Sequence, residues 1–218
     1  MNEDSILFID KPANMTSFGV VARVRRRLSQ QIGKKAKVGH TGTLDPFATG
    51  LMIIVTGKEC RNAGNYSKLD KVYEATIRFG QTSSTGDPEG EITNVSDLVP
   101  SHEAVEAACT QFIGEIKQRP PIYSAIKING ERAYKLARKG EVVEMPERTV
   151  TVFSLEVLDY TYPELKIRTH VGSGTYIRTL AQDIGAVLNT GAYCTQLRRT
   201  KVAEWSVEDA EPVSDYEA

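Results

Sequence analysis

The sequence predicts an α+β protein, a mixed and mostly antiparallel sheet with flanking helices. Three observations lead there. Segments that alternate apolar and polar residues outnumber segments of helical period. Short turn signals, not long crossovers, separate several of them. The chain has 218 residues, 40% apolar and 25% charged, enough to bury a core without disulfide or metal staples.

In chain order, Ser5 to Asp10 reads as a short apolar strand (Ile6, Leu7, Phe8, Ile9) closed by Lys11-Pro12. Thr16 or Ser17 can cap a helix with Val20, Val21, Val24 and Leu28 on one stripe, and Arg23, Arg26 and Arg27 elsewhere. A loop from Val38 to Gly50 leads into an apolar strand, Leu51 to Val55. Residues 72–79 alternate, with Tyr73, Ala75, Ile77 and Phe79 on the core face. Gly80 and Asp87 to Gly90 are turns, and Pro100-Ser101 opens a helix carrying Val105, Ala108, Cys109 and Phe112. Ala133 to Lys139 reads as a short helix stopped by Gly140. Thr149 to Leu158 and Glu164 to Val171 read as strands. A final helix after Gly174 points Ile177, Leu180, Ala181, Ile184, Val187 and Leu188 inward. With no repeat and no long linker, a single domain over residues 1–218 is expected, with an acidic tail at 203–218.

Cys60, Cys109 and Cys194 are odd in number and widely spaced, and His40, His102 and His170 lack metal-ligand spacing. Neither a disulfide framework nor a metal is implied. The first residues, Met1 to Asp4, are acidic and lead into no signal-type apolar core, so a cytoplasmic protein is expected.

The net charge of −1 hides an asymmetry. From Lys11 to Leu44 there are eight basic residues and no acid, and from Val202 onward six acids and no base. Such a basic front attracts a polyanion such as RNA, or it is an ordinary solvated helix face.

The most unusual segment runs from Gly39 to Gly50, GHTGTLDPFATG. Its glycines permit a tight fold and close approach to a ligand. Pro46 biases Asp45 toward an extended backbone, which fixes where the carboxylate points. One acid in such a loop suits covalent or acid–base chemistry on an anionic substrate. A structural Asx-type turn is the plainer alternative. The Val171 to Leu180 segment could cradle a phosphate on its glycine loop, but it lacks the P-loop lysine. Arg178 falls in a first helical turn, unfavourable to the helix dipole, and so calls for a carboxylate or phosphate partner. Tyr73 faces the core by strand period, and could alternatively stack on a base.

Taken in register, Lys11-Pro12, Gly39 to Gly50, Lys71 to Ala75, Arg78 to Gly80 with Thr85 and Asp87 to Gly90, Arg119 to Lys127, Gly174 to Leu180, and Leu197 to Thr200 resemble the motifs of TruB-type pseudouridine synthases. The resemblance covers about Ile6 to Val202. It implies the pseudouridine synthase fold with a central RNA-binding cleft, no cofactor, and tRNA as partner through its T arm, with uridine 55 as the target. Residue by residue, it implies that Asp45 is the catalytic aspartate. It likewise makes Tyr73 the ring that stacks on the base, a candidate to take the C5 proton, and Arg178 the cation paired with Asp45. His40 would enter the RNA when the base flips, while Tyr176, Leu197 and Lys11 would lie at the pocket. Asp45 would attack ribose C1′, add to uracil C6, or assist an elimination; the sequence does not choose. RNA backbone contacts are expected from Arg23, Arg26, Arg27, Lys34, Lys35, Arg198 and Arg199.

Two departures from the family pattern stand out. Val171 lies where the family more often has a cysteine, with no catalytic consequence expected. After Val202 comes only the acidic tail, where many members continue into a PUA domain, so salt-dependent binding without that domain is expected, by a monomer. Three other readings compete: a non-catalytic RNA-binding relative, which would not need Asp45, Tyr73 and Arg178 together; a phosphate-handling enzyme, which leaves Arg119 to Lys127 unexplained; and a synthase acting on another RNA.

Overall fold

A computed structural model describes residues 2–124, 126–128, 130–138 and 144–216. The chain divides into two compact units, Met1–Tyr73 with Leu197–Ala218, and Glu74–Gln196. No linker marks the division in the sequence, because it falls inside two strands.

The elements of the first stretch are β1 (Ile6–Lys11), α1 (Ser17–Ile32), β2 (Val38–His40), β3 (Thr49–Thr56), the short helix α2 (Ala63–Ser67) and β4 (Lys71–Phe79). There follow β5 (Gln81–Ser83), β6 (Ile92–Asn94), α3 (His102–Thr110), β7 (Gly114–Gln118), β8 (Lys127–Ile128), β9 (Glu131–Arg132), α4 (Ala133–Arg138), β10 (Arg148–Thr161), β11 (Glu164–Val171) and α5 (Ile177–Val187). The chain closes with β12 (Ala192–Val202), β13 (Trp205–Ser206) and β14 (Glu211–Pro212). The boundary between the two units runs through β4 and β12.

In the first unit, β14, β1, β3 and the end of β12 lie side by side in that order, and β2 pairs with β3. The β1–β3 ladder is antiparallel, with Ile9 opposite Met52, whereas β12 runs parallel to β3, with Arg199 opposite Gly50. Thr16 caps α1, its side chain accepting from Gly19 N at 3.0 Å. The helix buries Ser17, Val20, Val21, Val24 and Leu28, the apolar stripe that periodicity predicts. Leu51, Ile53, Val202 and Val207 form a core cluster, lined by Phe8 stacked on Trp205 at 5.5 Å.

The acidic C-terminal stretch packs within the first unit through its apolar residues. Val207, Val213 and Tyr216 are buried, and β14 pairs in parallel with β1. Arg27 donates to the Asp215 carbonyl and lies over the Tyr216 ring at 5.8 Å. Val207, Val213 and Tyr216 tie the segment down, while Glu204, Glu208, Asp209, Glu211 and Asp215 are exposed.

In the second unit the order is β4, β11, β10, β7, with the β11–β10–β7 ladders antiparallel. Ile77, Leu165, Ile167, Leu180 and Ile184 are fully buried. Ser101 caps α3, accepting from Ala104 N at 3.2 Å. Phe112 follows that helix instead of belonging to it. Val187 is 44% exposed, so the inward stripe of α5 stops one turn earlier than expected. The stop expected at Lys139 and Gly140 lies outside the described residues.

Candidate active site

Loop residues 41–48 join β2 to β3, and buried side chains from three separate elements hold them by the backbone. Ser17 Oγ, at the start of α1, accepts from Leu44 N and donates to Leu44 O, both at 2.8 Å. Lys11 is fully buried, and its Nζ donates to the carbonyls of Pro46 at 3.1 Å, Met15 at 2.7 Å and Pro12 at 2.9 Å. Arg199, 2% exposed, donates to Gly42 O at 3.2 Å and to Leu51 O at 2.7 Å. The Asp45 carbonyl accepts from Ala48 N at 3.1 Å, closing a turn.

The residues before and after Asp45 are thus anchored, while Asp45 itself is only half-buried. Backbone fixed on both sides of an acid is the arrangement that positioned catalysis needs, since the ordering cost is met on folding and not during the reaction. Gly50 completes the loop for a steric reason. It has φ 108°, and a Cβ there would lie 2.3 Å from Arg199 O, so only glycine permits this parallel approach.

Arg199, expected at the RNA backbone, and Lys11, expected at the pocket, both lie in the interior. Lys11 and Arg199 are buried cations that brace the loop from beneath, because the strand register turns both inward. Arg198, the next residue along β12, points the other way and grips Asp10 with both terminal nitrogens, at 2.8 and 3.1 Å. Of the remaining basic residues, Lys34 pairs with Glu3 at 2.8 Å, Arg23 donates to Gly19 O at 3.3 Å, and Arg27 is engaged by the C-terminal stretch. Arg26 and Lys35 are exposed. Tyr73 is 8% exposed on the inner face of β4, Leu197 is 7% exposed, and His40 is half-buried in β2.

The second unit holds Tyr176 and Arg178. Gln118 braces the backbone of Tyr176, accepting from its N–H at 3.1 Å and donating to its carbonyl at 3.3 Å. Arg178 is 3% exposed and meets a carboxylate, as its place in the first turn of α5 demands. Its partner within this unit is Asp87, at 2.8 Å, with further bonds to the carbonyls of Thr85 and Tyr123, each at 2.8 Å. Asp87 in turn accepts from Thr85 Oγ1 and Glu89 N. A buried pair of this kind holds only when its remaining hydrogen-bonding capacity is met nearby.

Sequence reasoning missed Ser17, Gln118 and the role of Asp87. Ser17 reads equally well as a helix cap, and Asp87 as a turn former; no local signal separates those uses from the ones observed. Among the described residues, no three His, Cys, Asp or Glu side chains gather as a metal site.

Comparison with known proteins adds the identity of the family. A family model described as TruB family pseudouridylate synthase (N terminal domain) matches residues 26–177. The chain belongs to the TruB family of pseudouridylate synthases. It is 46% identical to a tRNA pseudouridine synthase B of Phocaeicola vulgatus, over 98% of this chain and 92% of that protein. A protein of the same name from Trichormus variabilis is 45% identical, over 96% of this chain and 71% of its own length. Among solved structures, a chain of a Cbf5-Nop10-Gar1 complex superposes with a TM-score of 0.74 at 29% identity, over 98% of this chain. This chain spans about half of that one, 53% of its length. A structure titled pseudouridylate synthase, at 16% identity and a TM-score of 0.51, shares the fold. The chain is accordingly an enzyme of an isomerase family, with the pseudouridine synthase fold.

Proposed function

We propose that this enzyme converts uridine to pseudouridine in tRNA, at uridine 55 of the T loop, with Asp45 as the catalytic carboxylate. The observation that carries this reading is the bracing of the Asp45 loop by Ser17, Lys11 and Arg199 beneath a half-buried acid. The name borne by the relatives at 46% and 45% identity supplies the substrate class.

In the proposed reaction the target nucleotide leaves its stack, at a cost of a few kcal/mol, before its glycosidic bond is reached. Tyr73 stacks on the extruded uracil, Leu197 and Tyr176 wall the pocket, and His40 enters the RNA. Asp45 then acts at C1′, at C6 or in an elimination. The detached uracil turns, C5 bonds to C1′, and the C5 proton leaves. Arg178 of the second unit serves the same reaction as a cation, held by Asp87. The isomerisation is intramolecular and redox-neutral, so it calls for no cofactor. A cytoplasmic monomer is proposed as the working form; no helix among the described residues is long and apolar enough to cross a membrane.

The decisive experiment uses unmodified tRNA carrying tritium at uridine C5. Tritium release by the wild type, mapped to one position, and none by Asp45→Asn with unchanged binding is the expected result. Release by Asp45→Asn at the wild-type rate would remove Asp45 from the chemistry. Product at another site would redirect the target.

A further inference from the structure

Helix α1 carries an aromatic residue that its core does not use. Phe18 lies off the buried stripe and is 64% exposed, the most of any large hydrophobic side chain among the described residues. Positions three and four apart share a helix face, which lines up Phe18, the exposed Ala22 and Arg25. The Arg25 guanidinium sits 5.6 Å from the Phe18 ring centroid. It also donates to Val38 O at 3.1 Å, so the cation is fixed from one side and in turn restrains the ring.

A single exposed phenylalanine is by itself unremarkable, since folded proteins leave many apolar atoms in water. Three further features separate this one. The ring rests on an anchored guanidinium, not on loose solvent-facing chains. The helix beneath it carries Arg23, Arg25, Arg26 and Arg27 and no acid, matching a polyanion. Its neighbour Ser17 is the side chain that holds Leu44, next to Asp45. The ring therefore projects from the helical turn whose Ser17 anchors the candidate catalytic loop.

We infer that Phe18 and Arg25 form a stacking platform for an unpaired base of the RNA substrate, near the target uridine. This rests on the RNA reading given above. Unpaired bases are bound by stacking on aromatic rings and guanidinium planes, whatever their sequence, while nearby cations engage the phosphates. Ala22 suits such a ledge, because a larger side chain between ring and guanidinium would obstruct a flat base. The platform supplies affinity and placement, and no group that takes part in the bond changes.

The test compares Phe18→Ala, Phe18→Leu and Phe18→Trp in the full chain, with tRNA binding and turnover measured together. Stacking strengths of this kind predict that Phe18→Ala and Phe18→Leu raise Kd and KM by roughly 5- to 100-fold. The single-turnover rate at saturating RNA should stay within about two-fold of wild type, and Phe18→Trp should restore affinity. Its indole fluorescence should quench on adding tRNA, and the quench should vanish when one nucleotide is made abasic. Wild-type affinity in Phe18→Ala would overturn the inference. So would Phe18→Leu matching Phe18→Trp, the behaviour of a plain apolar contact such as one to a protein partner. RNA binding that depends on an aromatic ring at position 18, in an enzyme without turnover, would sink the catalytic reading and leave the platform standing.

Discussion

Arg26 on α1 and Arg199 on β12 bring the same guanidinium to the first unit and put it to opposite uses. Arg26 stands in solvent on a helix without acids, available to a phosphate backbone. Arg199 is 2% exposed and spans two backbone carbonyls, one of them in the loop that presents Asp45. On a helix whose stripe is complete, an arginine elsewhere must face water. On a strand paired at both edges, every second side chain must go in, and a cation sent inward has to find carbonyls or a carboxylate. Charge along a sequence thus predicts RNA contacts only after the element carrying it is known.

The largest effect expected from breaking this contrast is at Arg199. Replacement by alanine removes the bonds to one buried and one part-buried carbonyl and opens a void, and should cost on the order of 4 kcal/mol. A urea midpoint that falls steeply, with activity lost, is the expected outcome. A midpoint close to wild type would mean that Arg199 is not a brace.

Asp183 on α5 sharpens the comparison, as a half-buried charge of the other sign. Burial raises its carboxyl from 3.8 to about 6. A carboxyl raised in the folded state favours its protonated form there. Its penalty is therefore absent below about pH 4, grows as pH rises through about 6, and is full at pH 7.5. Asp183→Asn should then gain on the order of 2 kcal/mol at pH 7.5 and nothing at pH 3. Thermal melts at the two pH values check the sign; an equal gain at both would remove titration as the cause.

The smallest effect on folding belongs to Arg26. Arg26→Ala should leave stability within about 0.5 kcal/mol while lowering the slope of log K against log salt by about 0.7 to 0.9. An unchanged salt slope would take Arg26 off the RNA surface.

Much of the fold was legible in advance, because strong periodicity leaves little freedom. The α1 stripe, the alternation of β4 and the span of β11 agree with the structure. Strand β12 escaped notice, since the inward Arg199 breaks the alternation that marks a strand. The short pairs β5–β6 and β13–β12 lack any run long enough to show a period. The packing of the C-terminal stretch is not legible in its composition, because six acids outweigh the few apolar anchors that decide where it packs.

By itself, the sequence determined the elements with clear period, the family and the identity of the acid on its glycine-rich loop, all properties of residue order. The tertiary structure alone decided which cations face solvent, and that Lys11, Ser17 and Arg199 meet beneath that loop. Lys11 and Ser17 precede that loop by some thirty residues and Arg199 follows it by about 150, and a buried polar side chain goes wherever folding brings an unmatched carbonyl or amide within reach. Nothing in a residue's sequence neighbours records that meeting.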